Sequence, residues 1–331
     1  MSGGIWNLLS AVVRPDDRSA VVHAVIGRLT RLRTWVAAPG RREVALAVAV
    51  VLFVVSTVLA WRDLPEGREI DWSLVALAAA LVPPGVVTNA EEFRVSARIL
   101  EQTVTRRASL RVAVIASAFN ILPVPGSVIV RTGALARGGA TTRQAVGSTA
   151  AVGIAYVAVA VVLVGVVQVP YSASSATGLV VAGSAMFAAA GLVVHRLAPR
   201  ESTVGLVRAL LTVEAVSVTV KALRLLVTLR ALGFDPTFAQ AASISIASVA
   251  ASAIGVFPGG LGIRELLAAA IAPTVDLPAA VGLAGTAVDR LVGVAVLSVL
   301  AVVVLTLVKE QRLVAPGGST LDDAHQPEGT G

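Results

Sequence analysis

The sequence predicts an all-α polytopic membrane protein with about six transmembrane helices and two oppositely oriented re-entrant hairpins forming an inverted repeat. Three observations lead there. The 331-residue chain is 56% hydrophobic and only 14% charged, with a mean hydropathy of +0.84; soluble domains are about a quarter charged. Its apolar mass falls in long runs edged by arginine. Two of those runs are broken by Pro-Gly with an arginine after four further residues, "PGSVIVR" at 125–131 and "PGGLGIR" at 258–264.

The composition also excludes several function classes. The net charge of +7 could suggest nucleic acid, but arginines at the edges of apolar runs set membrane orientation more simply. No nucleic-acid partner is expected. The chain has no cysteine, which removes disulfides, thiolate metal sites and cysteine nucleophiles. His23, His195 and His325 are far apart in the chain, so no metal site is expected. There is neither a G-x-S-x-G motif nor a phosphate-binding loop ending in Gly-Lys, and no polar segment is large enough for a soluble catalytic domain. No cofactor follows. The first 42 residues carry seven arginines and no apolar region followed by a cleavage site, so no signal peptide is expected.

The elements follow in order. Residues 1–42 read as a cytoplasmic basic amphipathic segment: Val22, Ile26, Leu29, Leu32 and Val36 share one helical stripe, with Arg28, Arg31 and Arg33 mostly off it. Glu43 to Trp61 is long enough for a first span at 1.5 Å per residue. The net-acidic loop "RDLPEGREID" belongs outside, and a second span, Trp72 to Thr88, ends at "PPG". Asn89 and Glu92 have the spacing of a helix cap and its third residue, opening an interfacial cytoplasmic helix with Phe93, Ala97, Leu100 and Val104 on its apolar stripe. Residues 110–130 are apolar, yet a crossing would strand Arg131, Arg137 and Arg143 outside. Pro123, Pro125 and Gly126 interrupt the segment as well. A re-entrant hairpin removes both conflicts, and because broken backbone at membrane depth must face protein or water, the hairpin should line a cavity.

Ala145 to Val169 then crosses outward and Thr177 to Leu197 returns. Residues 204–231 carry Arg208, Glu214, Lys221, Arg224 and Arg230, and read as a long tilted crossing, with a surface helix as the alternative. From Phe238 the chain is apolar to the breaks at Pro258, Gly259, Gly260 and Gly262. For the last helix, Ala279 to Val308, to end inside at Lys309 and Arg312, residues 239–272 must enter and leave on the outer side. Segment 311–331 is polar and reads as a disordered cytoplasmic tail. Pro-Gly, four residues, Arg and then Ala-Val-Gly (145–147 and 280–282) recurs in both halves, as inverted-repeat transporters with broken midplane helices would require.

Ionised groups at bilayer depth cost at least about 2.5–3.5 kcal/mol each, so those present are paired, hydrated or used for binding. Arg131 and Arg264, reached from opposite faces, suit the oxygens of a phosphate-bearing head group because guanidinium is permanently charged and forked. Asn120, Glu214, Glu265, Asp289 and Arg290 join them as candidate substrate-binding residues. Plainer roles stay open. Arg131 could mark the cytoplasmic boundary, Arg264–Glu265 and Asp289–Arg290 could be structural pairs, and Asn120 could cap the hairpin. Lys221 and Arg224 could snorkel, and "SISIASVAASAIG" reads as a helix-packing surface.

"NILPVPGSVIVR", "VFPGGLGIRELLAAA" and, some twenty residues later, "VDRLVGVAVL" resemble the transmembrane (flippase) domain of lysylphosphatidylglycerol synthases. The resemblance spans about residues 43–310, and "PGGLGIRE" is its most specific piece. Asn120, Pro123, Gly126 and Arg131 match the first motif; Pro258, Gly259, Gly260, Gly262, Arg264, Glu265 and Arg290 match the second. Ser127 departs from the acidic residue often found there, and the helix at 145–169 lacks a charged pair. The aminoacyl-transferase domain of full-length synthases is absent, so lipid lysylation is not expected from this chain.

The resemblance implies a multi-pass protein of the inner or plasma membrane, not an enzyme, with both termini cytoplasmic. It would move a phospholipid or lipid-linked head group between leaflets, with the lipid bilayer and its lipids as partners and a homo-oligomer left open. Two alternatives stand beside it: a membrane-embedded enzyme using Glu214 or Asp289 as acid/base, and a scaffold for a separate lipid synthase.

Overall fold

The computed structural model describes residues 69–119, 126–198, 202–254 and 262–308, with isolated helical positions between 51 and 62. The expected segment 1–42, nearly all of the first span and the tail 311–331 lie outside the described residues. So do Asn120, Pro123, Pro125, Pro258, Gly259 and Gly260.

Every described regular element is a helix: α1 Trp72–Ala80, α2 Val82–Ile99, α3 Arg106–Phe119, α4 Gly126–Arg137, α5 Thr142–Val167, α6 Ala173–Leu197, α7 Thr203–Ala231, α8 Phe238–Ile254, α9 Ile263–Ile271 and α10 Ala279–Val308, with a 3-10 turn at Ala272–Val275 between the last two. Large apolar side chains lie on the exterior, and several charged and polar groups lie inside. Val181, Val299 and Val302 are more than 60% exposed, whereas Glu92, Ser148, Glu214, Ser217, Glu265, Thr286 and Asp289 are buried. An apolar exterior suits lipid, and polar groups then have to find partners inside. This is a polytopic membrane protein.

Among the described residues, four stretches are long and apolar enough to cross a bilayer: 72–99, α5, α6 and most of α10. The first corrects two expectations. "PPG" does not end a span, because Pro83 and Pro84 sit in the first turn of α2, just after a one-residue interruption at Leu81. Backbone N–H groups there have no intrahelical partner to lose, so proline starts a helix as readily as it stops one. Nor is there an interfacial helix beginning at Asn89. That residue lies inside α2, where Thr88, Ala90, Glu92, Phe93, Val95, Ser96, Ala97 and Ile99 are all buried.

The two hairpins are pairs of short helices packed on each other, α3 with α4 and α8 with α9. At 1.5 Å per residue, α3 and α4 reach only ~21 and ~18 Å and α9 ~14 Å, short of a hydrocarbon core about 30 Å thick. Their ends are tied together. Gln102 Nε2 donates to the Leu135 carbonyl (3.0 Å) and Gln240 Nε2 to the Val275 carbonyl (2.9 Å). Each bond joins the entry of a hairpin to its exit some thirty residues later, so the chain returns to the side it came from. In the second hairpin Gly262 has φ of +77°, a backbone that glycine adopts without steric cost.

Helix α7 is the central element of the bundle. Its 29 residues span ~43 Å, and it packs against α1, α2, α5, α6, α8 and α10. Glu214, Ser217 and Thr228 on it are buried, which a helix lying on the membrane surface would not show. Its charges therefore face protein. The α5–α6 pair is the most extensive packing among the described helices, and glycine permits it. A Cβ on Gly165 would sit 2.9 Å from the Ala176 carbonyl oxygen, and one on Gly183 would sit 2.8 Å from that of Ala158. Backbones approach this closely where small residues line the seam.

Candidate functional site

Helices α2, α3, α4, α5, α7, α8, α9 and α10 surround a cavity of about 330 Å³. Its ionic wall is built from helices far apart in sequence. Arg131 on α4 donates from both Nη atoms to one oxygen of Glu92 on α2 (3.1 Å each), and from Nη2 to the Asn89 carbonyl (3.4 Å). The other Glu92 oxygen accepts from Ser217 of α7 at 3.2 Å. Glu92 is thus satisfied on both sides, as a buried carboxylate must be.

A second cluster faces it. Asp289 on α10 is gripped by Arg224 of α7, which donates from Nε to Oδ1 (2.6 Å) and from Nη2 to Oδ2 (2.8 Å). Arg264 of α9 donates from Nη2 to the same Oδ2 at 2.5 Å. One carboxylate therefore holds two guanidinium groups, the first in the two-pronged geometry that fits both planar ions. Beside it, Arg290 Nη1 lies 3.2 Å from Glu265 Oε1, an ion pair in which neither Glu265 oxygen takes a directed hydrogen bond among the described residues. Lys221, between the two clusters, donates to the Tyr156 hydroxyl at 2.9 Å and lies 4.1 Å from the centre of that ring. Cation and ring attract each other through the quadrupole of the aromatic face.

Of the residues nominated from sequence, Arg131, Arg264 and Asp289 line the cavity together. Glu265 and Arg290 form the adjoining pair. Glu214 is fully buried, is absent from the cavity wall, and has no hydrogen-bond partner for either carboxylate oxygen among the described residues. Asn120 lies outside the described residues. Glu92, Ser217, Lys221, Tyr156 and Arg224 carry much of the site without having been nominated for it. Four positions on α7 had a legible signal: 214, 217, 221 and 224 alternate in steps of three and four, continued by Thr228, which is one polar stripe on a helix. Glu92 reads as part of a helix cap until the helix is seen to run through it.

The sequence profile described as the lysylphosphatidylglycerol synthase TM region matches residues 42–301, most of the chain. The chain belongs to this family. No curated protein matches it individually. The matched region of the synthase family contains both hairpins and every residue of the cavity wall. Family membership relates the protein to membrane lipids through a transmembrane region. The acid/base candidates also fit catalysis poorly. Both oxygens of Asp289 are held by guanidinium groups, and Glu214 does not reach the cavity.

Proposed function

We propose that the protein translocates a lipid between leaflets, with the phosphate-bearing head group seated in the cavity while the tails stay in the bilayer. One observation carries the reading: the arginines of the two hairpins, Arg131 and Arg264, meet on the wall of a single membrane-embedded cavity. Each also retains an Nε–H that is buried and without a hydrogen-bond partner among the described residues. Buried donors of this kind are costly to leave unmade, and phosphate oxygens would satisfy them. Opposed hairpins would let the head group be reached from either face. The protein would act in the inner or plasma membrane, both termini cytoplasmic, as a translocator rather than an enzyme.

The test is transbilayer movement of fluorescent anionic and zwitterionic phospholipids in proteoliposomes, read with a quencher that cannot cross. Wild type should move an anionic lipid. Arg131→Ala and Arg264→Ala, each measured on the fraction that remains monodisperse, should slow it at least tenfold. Unchanged lipid mass before and after would separate translocation from chemistry on the head group. Equal rates in wild type and both variants would remove these arginines from the substrate path.

A further inference from the structure

The charges on the cavity wall do not balance. Four cations line it, Arg131, Lys221, Arg224 and Arg264, against two carboxylates, Glu92 and Asp289. The Arg131–Glu92 pair is neutral. Asp289 offsets one of its two guanidinium partners and leaves the other. Lys221 meets no carboxylate within ion-pair distance among the described residues; its hydrogen bond goes to a phenol. Glu265 and Arg290 pair with each other outside the lining, and Glu214, two helical turns from Lys221, lies behind the wall, acting on Lys221 and Arg131 through space but in no ion pair among the described residues. The wall therefore presents two positive charges in excess.

An excess of this size in a membrane interior calls for an anion of matching charge. A phosphodiester head group carries one negative charge. A phosphomonoester carries close to two at neutral pH, since its second ionisation lies near pH 6, and a diphosphate carries at least two because each of its phosphates has a strongly acidic proton. We infer that the cavity is built for a dianionic head group, a lipid phosphomonoester or diphosphate, and that Lys221 is the residue that distinguishes it from a phosphodiester. This rests on the cavity being a lipid head-group site. Lys221 fits the role because its ammonium is a compact charge on a flexible stem, held by Tyr156 rather than by a carboxylate. The arginines, by contrast, are each already held by a carboxylate. The volume agrees: about 330 Å³ accommodates a phosphate or diphosphate but leaves the hydrocarbon tails to the bilayer.

The experiment measures equilibrium binding of dodecyl phosphate and of its methyl ester to the purified full chain in a neutral detergent, at pH 5 and pH 8. The two probes share a tail and differ by one ionisable oxygen. At pH 8 the monoester should bind about tenfold more tightly, the effect of one added charge interaction of ordinary size, and the two should converge at pH 5. Lys221→Gln should abolish the preference at pH 8 while methyl ester binding persists, and Lys221→Arg should restore it. Equal affinity for both probes at pH 8 would overturn the dianion assignment and leave an anionic head-group site standing. Binding of neither probe would overturn both.

Discussion

Asp289 is the residue on which the most electrostatics depends, since one buried carboxylate holds Arg224 from α7 and Arg264 from α9. Removing one partner of a buried ion pair strands the other charge, at about 3–5 kcal/mol. Asp289→Ala should therefore destabilise the protein by at least that much, seen as loss of monodisperse protein and a large fall in the thermal midpoint. The Arg131–Glu92 pair offers a cleaner comparison, being one-to-one. Arg131→Gln and Glu92→Gln should each be destabilising by a few kcal/mol, and the double variant should recover most of the loss, because neutral amides can hydrogen-bond where an unpaired ion cannot. Additive losses would show that the two residues are not each other's principal partners. These pairings mark the limit of what the sequence discloses. The charges on α7 have a readable period, but that Ser217 meets Glu92 across 125 positions depends on how helices cross, which no local pattern encodes.

Among the elements, the apolar length of a segment sets its fate where charges are few. That is why the bounds of α10 were legible to the residue and those of α5 and α6 to within a few. Pro-Pro-Gly misled because the same residues suit a helix start, and only the preceding Leu81 turn distinguishes the two. A further signal was present but unread: Thr141/Gln144 and Thr237/Gln240 each form a reciprocal cap, threonine hydroxyl to glutamine N–H and glutamine side chain to threonine N–H. This T-x-x-Q pattern is a helix-start signature. Packing between elements yields its own prediction. Gly165→Val should cost roughly 1–3 kcal/mol or more, because the seam with α6 has no room and overpacked helices must separate. Gly178→Ala, where an added Cβ meets nothing within 4 Å, should be neutral or stabilising by up to ~1 kcal/mol from helix propensity. Thermal unfolding in detergent separates the two. If both behave alike, the α5–α6 seam is looser than its geometry.

The whole molecule turns on the number of crossings between its two hairpins. Three long helices, α5, α6 and α7, separate the exit of the first hairpin from the entry of the second. An odd number of crossings places the hairpins on opposite faces. The positive-inside bias alone led to this arrangement, but it left α7 ambiguous, since five charges in an apolar run suit a surface helix equally well. Burial of Glu214 and Ser217 at the centre of the bundle resolves that ambiguity for packing, and the sidedness that follows can be measured directly. The native chain has no cysteine, so single cysteines report without background. Arg137 and Thr274, both exposed at the exits of their hairpins, are suitable positions. In oriented membranes, Arg137→Cys should react with an impermeant maleimide only from the cytoplasmic side and Thr274→Cys only from the outer side. Reaction of both from one side would mean that α7 does not cross, and the two arginines would then approach the cavity from the same face. Opposite labelling would give each leaflet its own hairpin beside the shared cavity, which a translocator needs and a one-sided binding protein does not.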